Sequence, residues 1–143
     1  VQSPGYVMIM AEMVHDARII RLGGSHPADN ITPWLGDSVG HWEGNTLVVE
    51  TTNFNPQHTF RAGLRHFFAI TPGAIVTERF TRISKDQILY RFYVDDPDIY
   101  SQVWAGEMPL RSVEDKIYEY ACHEGNYSMA NILAGAREEE KRR

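Results

Sequence analysis

A chain of 143 residues has the length of one domain and can bury a sizeable core without staples. Its net charge of −5 is spread along the chain, with no basic stripe, which argues against nucleic acid as a partner. No apolar run approaches the length of a membrane span. The single cysteine, Cys122, excludes an internal disulfide.

In chain order, Tyr6 to Met13 reads as a strand, followed by a turn at Val14-His15-Asp16 and a second strand, Ala17 to Leu22. Gly23-Gly24 ends it, and the Pro-, Asp- and Asn-rich stretch from Ser25 to Leu35 reads as a long loop. Val39 to Glu43 and Thr46 to Phe54 form the clearest hairpin. Gly44-Asn45 between them can supply the positive φ that I′ and II′ turns require. Asn55 to Leu64 reads as a second loop. Ile75 to Ile83 and Ile88 to Asp95 form another strand pair, Tyr100 to Leu110 and Lys116 to Glu124 a last one.

About eight strands at this spacing, with no helical pattern between them, predict an all-β fold. The expected architecture is an antiparallel up-and-down meander, a lipocalin-like barrel closed on itself, forming one domain over 1–143 with strands over about 6–124. The tail differs. From Ser128, a plausible N-cap, Met129, Ile132, Leu133 and Ala136 recur at helical spacing, which predicts a C-terminal α-helix over about 128–141.

Strand alternation locates the candidate site. Val76, Glu78, Phe80 and Arg82 share one face of their strand; Ile88, Tyr90, Phe92 and Val94 share one face of the next. In the hairpin strand, Leu47 and Val49 face one way while Val48, Glu50, Thr52 and Phe54 face the other. Near the end, Glu119 and His123 align, opposite Tyr118, Tyr120 and Cys122. Carboxylates set in apolar or aromatic rows can line a ligand cavity. Trp42, Glu50, Glu78, Tyr90 and Trp104 are the expected ligand-binding residues. Glu119 and His123 are the acid–base pair if the protein is an enzyme. The competing reading puts each Glu on a solvated face, satisfied by a cross-strand arginine such as Arg91 beside Glu78.

Cys122 and His123 are adjacent on a strand and point to opposite faces, so they cannot form a dyad with each other. His26, His58 and His66 sit in or beside the long loops and form a candidate metal cluster, although no paired metal-ligand spacing occurs. Phosphate-loop, GxSxG and HExxH motifs are absent, so no motif requires a cofactor.

Four segments carry a family pattern: Gly36 to Phe54 (GDSVGHWEGNTLVVETTNF), Glu78 to Arg82 (ERFTR), Asp95-Asp96-Pro97, and Tyr118 to Tyr127 (YEYACHEGNY). Together they resemble a family of uncharacterised exported bacterial proteins found in soil and environmental genomes. Asn45 stands where that family usually has Asp, a swap between turn formers. The resemblance implies a periplasmic or secreted setting and further sequence upstream of Val1, making this chain the C-terminal part of a longer one. It implies no chemistry. The Gly-x-Trp-Glu-Gly-Asn-Thr-Leu-Val phrase is also similar to one hairpin of lipocalin-like barrels.

Three functions follow as expectations. The first is a small-molecule-binding barrel with an apolar or aromatic ligand against Trp42, Tyr90 and Trp104. The second is a hydrolase or lyase using Glu119 and His123 in the same cavity. The third is a structural or interaction domain whose aromatics fill its core.

Overall fold

A computed structural model of the chain describes residues 1–12, 15–57, 59–63, 66–118 and 127–142, with the backbone alone over 59–63 and 66–68. Two compact units emerge. Val1–Met10 with Ala17–Asp115 forms one, and Ala11–Asp16 with Lys116–Arg143 the other.

The first unit is a mostly antiparallel β-sheet of eight strands. They are β1 (Gln2–Ser3), β2 (Tyr6–Met10), β3 (Ala17–Leu22), β4 (Asp37–Glu43), β5 (Thr46–Thr52), β8 (Ile75–Arg82), β9 (Gln87–Asp95) and β10 (Trp104–Arg111), in that spatial order. A separate hairpin of β6 (Thr59–Gly63) and β7 (His66–Ala69) occupies the chain between β5 and β8. The loop read over Asn55 to Leu64 takes in β6, whose polar lead-in, Asn55-Pro56-Gln57, has loop composition; β7 follows it. The sheet is open: β1 and β10 are its ends, so the expected closure into a barrel is not made among the described residues.

One junction departs from the meander. β3 and β4 run parallel, with Ile20 opposite Ser38 and Leu22 opposite Gly40. The loop from Gly23 to Gly36 carries the chain back to restart in the same direction, as a parallel pair requires. Elsewhere hairpins dominate. Gly44 has φ +60° while Asn45 stays at negative φ, the pattern of a II′ turn between β4 and β5.

Register assigns the two faces. Val7, Ile20, Ser38, Thr51, Val76, Val94 and Trp104 are successive partners across the sheet and share one face. Ile20, Leu47 and Val49 are the buried centre of that face, with Val7, Ile9, Leu22 and Phe80 packed on them. Burying each of the three is worth about 1.5–3 kcal/mol. The other face carries ion pairs between strands. Arg79 Nη2 donates to Glu43 Oε2 at 2.7 Å and Arg91 pairs with Glu107, while His41 Nε2, on the same strand as Glu43, lies 3.1 Å from its Oε1.

The inner face is concave. Arg18 on β3 and Glu78 on β8 are three strands apart and, by register, four residues apart along the strands. On a flat sheet that is about 14 Å across and about 13 Å along, beyond what the two side chains can span. Yet Arg18 Nη1 lies 2.7 Å from Glu78 Oε2. The sheet must coil strongly between β3 and β8, as strands do when they stagger toward a barrel. Two glycines permit close layering here. A Cβ on Gly40 would stand 2.9 Å from Ile20 Cγ2, and one on Gly106 would enter the Phe92 ring that lies over it.

In the second unit, α1 spans Ser128–Lys141. Tyr127, not the expected Ser128, is the capping residue, and its side chain makes no capping bond. Of the predicted strand over 116–124, Lys116–Tyr118 form no strand, and the remainder lies outside the described residues.

Candidate functional site

The concave face holds a groove of about 470 Å³. Val7, Met8 and Ile9 of β2 form one wall; Trp42, Leu47, Phe80 and Ile88, from β4, β5, β8 and β9, form the other, with Asn45 and Arg82 at one end. Every wall residue except Met8 is on the inner face by register. The same alternation that makes these strands half-buried therefore makes the lining apolar. Trp42 remains 47% exposed although it is a large aromatic on the core side of the sheet. Its ring is thus available to a ligand.

Beside the groove, Glu78 is 4% exposed and held from two sides. Arg18 Nη1 donates to Oε2 and the Tyr90 hydroxyl donates to Oε1, each at 2.7 Å. A buried carboxylate needs such partners to stay charged. Burial, with the Glu78 charge and hydrogen bond added, pushes the Tyr90 phenol well above its ordinary value. Tyr90 is consequently a neutral donor at all ordinary pH. The strand pattern places Glu78 and Tyr90 each on a face of its own strand, and register brings those faces together; the arginine expected beside Glu78 is not its partner. Arg91 stands across from Arg79 on the outer face and pairs with Glu107, while the partner of Glu78 comes from β3.

Aromatic rings continue this row. Phe80 stacks on Tyr90 with centroids 4.8 Å apart, Tyr90 lies 5.6 Å from Phe92, and Phe92 meets Trp104 edge-on at 5.5 Å. Tyr100 closes the row on Trp104 at 5.7 Å. Tyr90 and Trp104 are thus parts of one packed ladder, offset-stacked at one end and edge-to-face at the other. Neither lines the groove.

Glu50 belongs elsewhere. Val49 is the cross-strand partner of Glu78, so Glu50 points to the outer face. There its Oε1 lies 3.4 Å from His26 Nε2, while His26 Nδ1 lies 2.6 Å from Asp37 Oδ2. Arg21 Nη2 also reaches Asp37 Oδ2, at 2.7 Å. His26, expected in a metal cluster, is instead set between two carboxylates. Among the described residues, no group of three or more His, Cys, Asp or Glu side chains is placed to hold a metal ion. His58 lies outside the described residues, and His66 is described by its β7 backbone only. Glu119 and His123, the expected acid–base pair, lie outside the described residues with Cys122.

Two anchors are not evident from the strand pattern. Asn53 follows β5 at φ +54°, a left-handed conformation that Asn tolerates better than most residues. Its Nδ2 faces the carbonyls of Pro27, Ala28 and Ile31 at 3.1–3.4 Å and ties down the β3–β4 loop. Asp96, 1% exposed, accepts from the Thr71 backbone N–H at 2.7 Å and hydroxyl at 2.8 Å. An Asn after a strand and an Asp before a Pro are turn signals in sequence; only their burial reveals them as anchors.

Comparison with protein-family models, with curated proteins and with solved structures yields no significant match. No helix among the described residues is long and apolar enough to cross a membrane.

Proposed function

We propose that this protein binds an apolar or aromatic small molecule in the groove on the concave face of its sheet. The observation that carries the reading is an apolar groove of about 470 Å³ into which a half-exposed tryptophan projects. That volume is within the range of small-molecule sites, roughly 300–1,000 Å³, and the lining is of the usual kind: apolar walls with a few polar groups at one end. Trp42 supplies a flat contact, and Phe80 and Ile88 continue the same apolar wall. Glu78 is already satisfied by Arg18 and Tyr90, which suits a structural role better than that of a general base. The likeness of the sequence to exported bacterial proteins supports a periplasmic or secreted setting for the binding.

The test is a fluorescence titration with N-phenyl-1-naphthylamine, an uncharged aromatic probe. A saturable signal is expected, weakened about tenfold or more by Trp42→Ala, the scale of truncating an anchoring aromatic. Ile88→Glu should weaken it as well. Both positions are partly exposed, so the variants should fold; circular dichroism checks this. A signal that does not saturate, or that both folded variants leave unchanged, rejects the groove as the site.

A further inference from the structure

Charge at the end of the groove narrows the ligand class. Of the six arginines in the sheet, four face a carboxylate: Arg18 with Glu78, Arg21 with Asp37, Arg79 with Glu43 and Arg91 with Glu107; Arg111, at the end of β10, does not line the groove. Arg82 lines it. Its Nε and Nη2 donate to the backbone carbonyls of Ser84 and Lys85, at 3.2 and 3.1 Å, and no carboxylate pairs with it among the described residues. A guanidinium has five N–H donors, so these two bonds leave others for a ligand. The backbone of Arg82 is also held in place. Its N–H donates to Asn45 O at 3.2 Å, and Asn45 Nδ2 donates to its carbonyl at 2.8 Å.

Arg82 is the one side chain carrying a formal charge among those lining the groove; Val1, whose ammonium donates to Met8 O at 2.8 Å, also borders it, and no acidic residue lines it. On a chain of net charge −5, a cation with no carboxylate partner among the described residues, at the end of an apolar groove, is a local reversal of sign. Resting on the binding reading above, we infer that the ligand is an amphipathic organic anion. Its apolar or aromatic body lies against Trp42 and Phe80, and its carboxylate, sulfonate or phosphate sits at Arg82. A planar, forked guanidinium suits such oxyanions, and the charge-assisted bonds are stronger than neutral ones.

Two dyes with one skeleton test this. 8-Anilino-1-naphthalenesulfonate is N-phenyl-1-naphthylamine with a sulfonate added. The intact protein should bind the sulfonate at least several-fold more tightly. Arg82→Gln should weaken the sulfonate about tenfold and leave the neutral dye within twofold. Arg91→Gln, an exposed control, should change neither. The preference for the anion should shrink as salt rises, as an exposed charge contact does. If neither dye binds the intact protein, the groove reading itself fails. If both bind with equal affinity, or if Arg82→Gln weakens both alike, the groove stands and the anion inference falls. Sedimentation velocity on the same samples covers another occupant: concentration-dependent dimers that exclude both dyes would assign the groove to a second copy of the chain. Flotation with phosphatidylglycerol vesicles that Arg82→Gln abolishes, without discrimination between the dyes, would assign Arg82 to a lipid surface. Either result overturns the inference.

Discussion

The two faces of the eight-stranded sheet are built from similar pairs and use them differently. On the outer face Arg79 meets Glu43 and Arg91 meets Glu107, all exposed. The bonds from Arg79 and then His41 hold the Glu43 carboxyl below its ordinary value, but water competes for every group involved. On the inner face Arg18 meets Glu78 at the same 2.7 Å that separates Arg79 from Glu43, yet Glu78 is almost fully buried and a tyrosine completes its shell. An arginine–glutamate pair is therefore no unit of stability by itself. Its worth depends on what replaces the water taken from it.

The sharpest way to break this contrast is Glu78→Ala, which leaves Arg18 charged and Tyr90 without its acceptor in a half-buried setting. Urea unfolding should show a loss of about 3–5 kcal/mol, the scale for removing one partner of a buried pair. The double variant Arg18→Met with Glu78→Leu should recover most of that loss, because an apolar pair needs no compensation. A single-variant loss no larger than those on the outer face would end the distinction.

Next in size is the layering on the inner face. Gly106→Val should cost about 1–3 kcal/mol, since the Phe92 ring occupies the space a side chain needs. In a Phe92→Ala background the same change should be close to neutral, a coupling that a double-mutant cycle reads directly. Asn53→Ala should cost about 1–3 kcal/mol through its unsatisfied loop carbonyls and its left-handed backbone. Asn53→Gly should cost less, because it relieves the backbone and loses only the bonds.

Tyr90 yields a smaller effect, visible in its pH dependence. Burial favours the neutral phenol, so its folded value lies above its unfolded value of about 10. The unfolded chain ionises first, and its contribution to stability is present below pH 10 and lost as pH rises beyond it. Tyr90→Phe should cost about 1 kcal/mol at neutral pH and flatten that alkaline decline. Least of all, Arg91→Gln should leave the unfolding midpoint unchanged within error. A measurable shift there would show that the outer face is not the passive one.

Much of this arrangement is legible from alternation alone. Glu78 and Phe80 fall on one face, Tyr90 and Phe92 on the face that meets them, and Leu47 and Val49 apart from Glu50, because period two survives any curvature of the sheet. What alternation cannot carry is the identity of distant partners. Arg18 reaches Glu78 only because the sheet coils, and coiling is a sum of small twists over four strands with no local signature. The pairing of Glu50 with His26 depends in the same way on where a long loop returns. The parallel junction between β3 and β4 is hidden because a strand, a loop and a strand read alike whichever direction the second strand takes. The β6–β7 hairpin is missed because its polar lead-in has loop composition.

That parallel junction has a mechanical meaning. It divides the sheet into two ribbons, β1–β3 and β4, β5, β8, β9 and β10, stitched by a ladder whose register covers only Ile20 to Leu22. Arg18 and Glu78 form a rivet across this seam, and the clamp of Asn53 on the loop is a second. The groove straddles it too: Val7 and Ile9 belong to one ribbon, Trp42, Phe80 and Ile88 to the other. A molecule lying in the groove would act as a third fastener, and by linkage its binding energy would oppose parting of the ribbons. Slowed amide exchange would then gather in β2 and β3 rather than in the long hairpins of β8 to β10, making the shorter ribbon the reporter of occupancy.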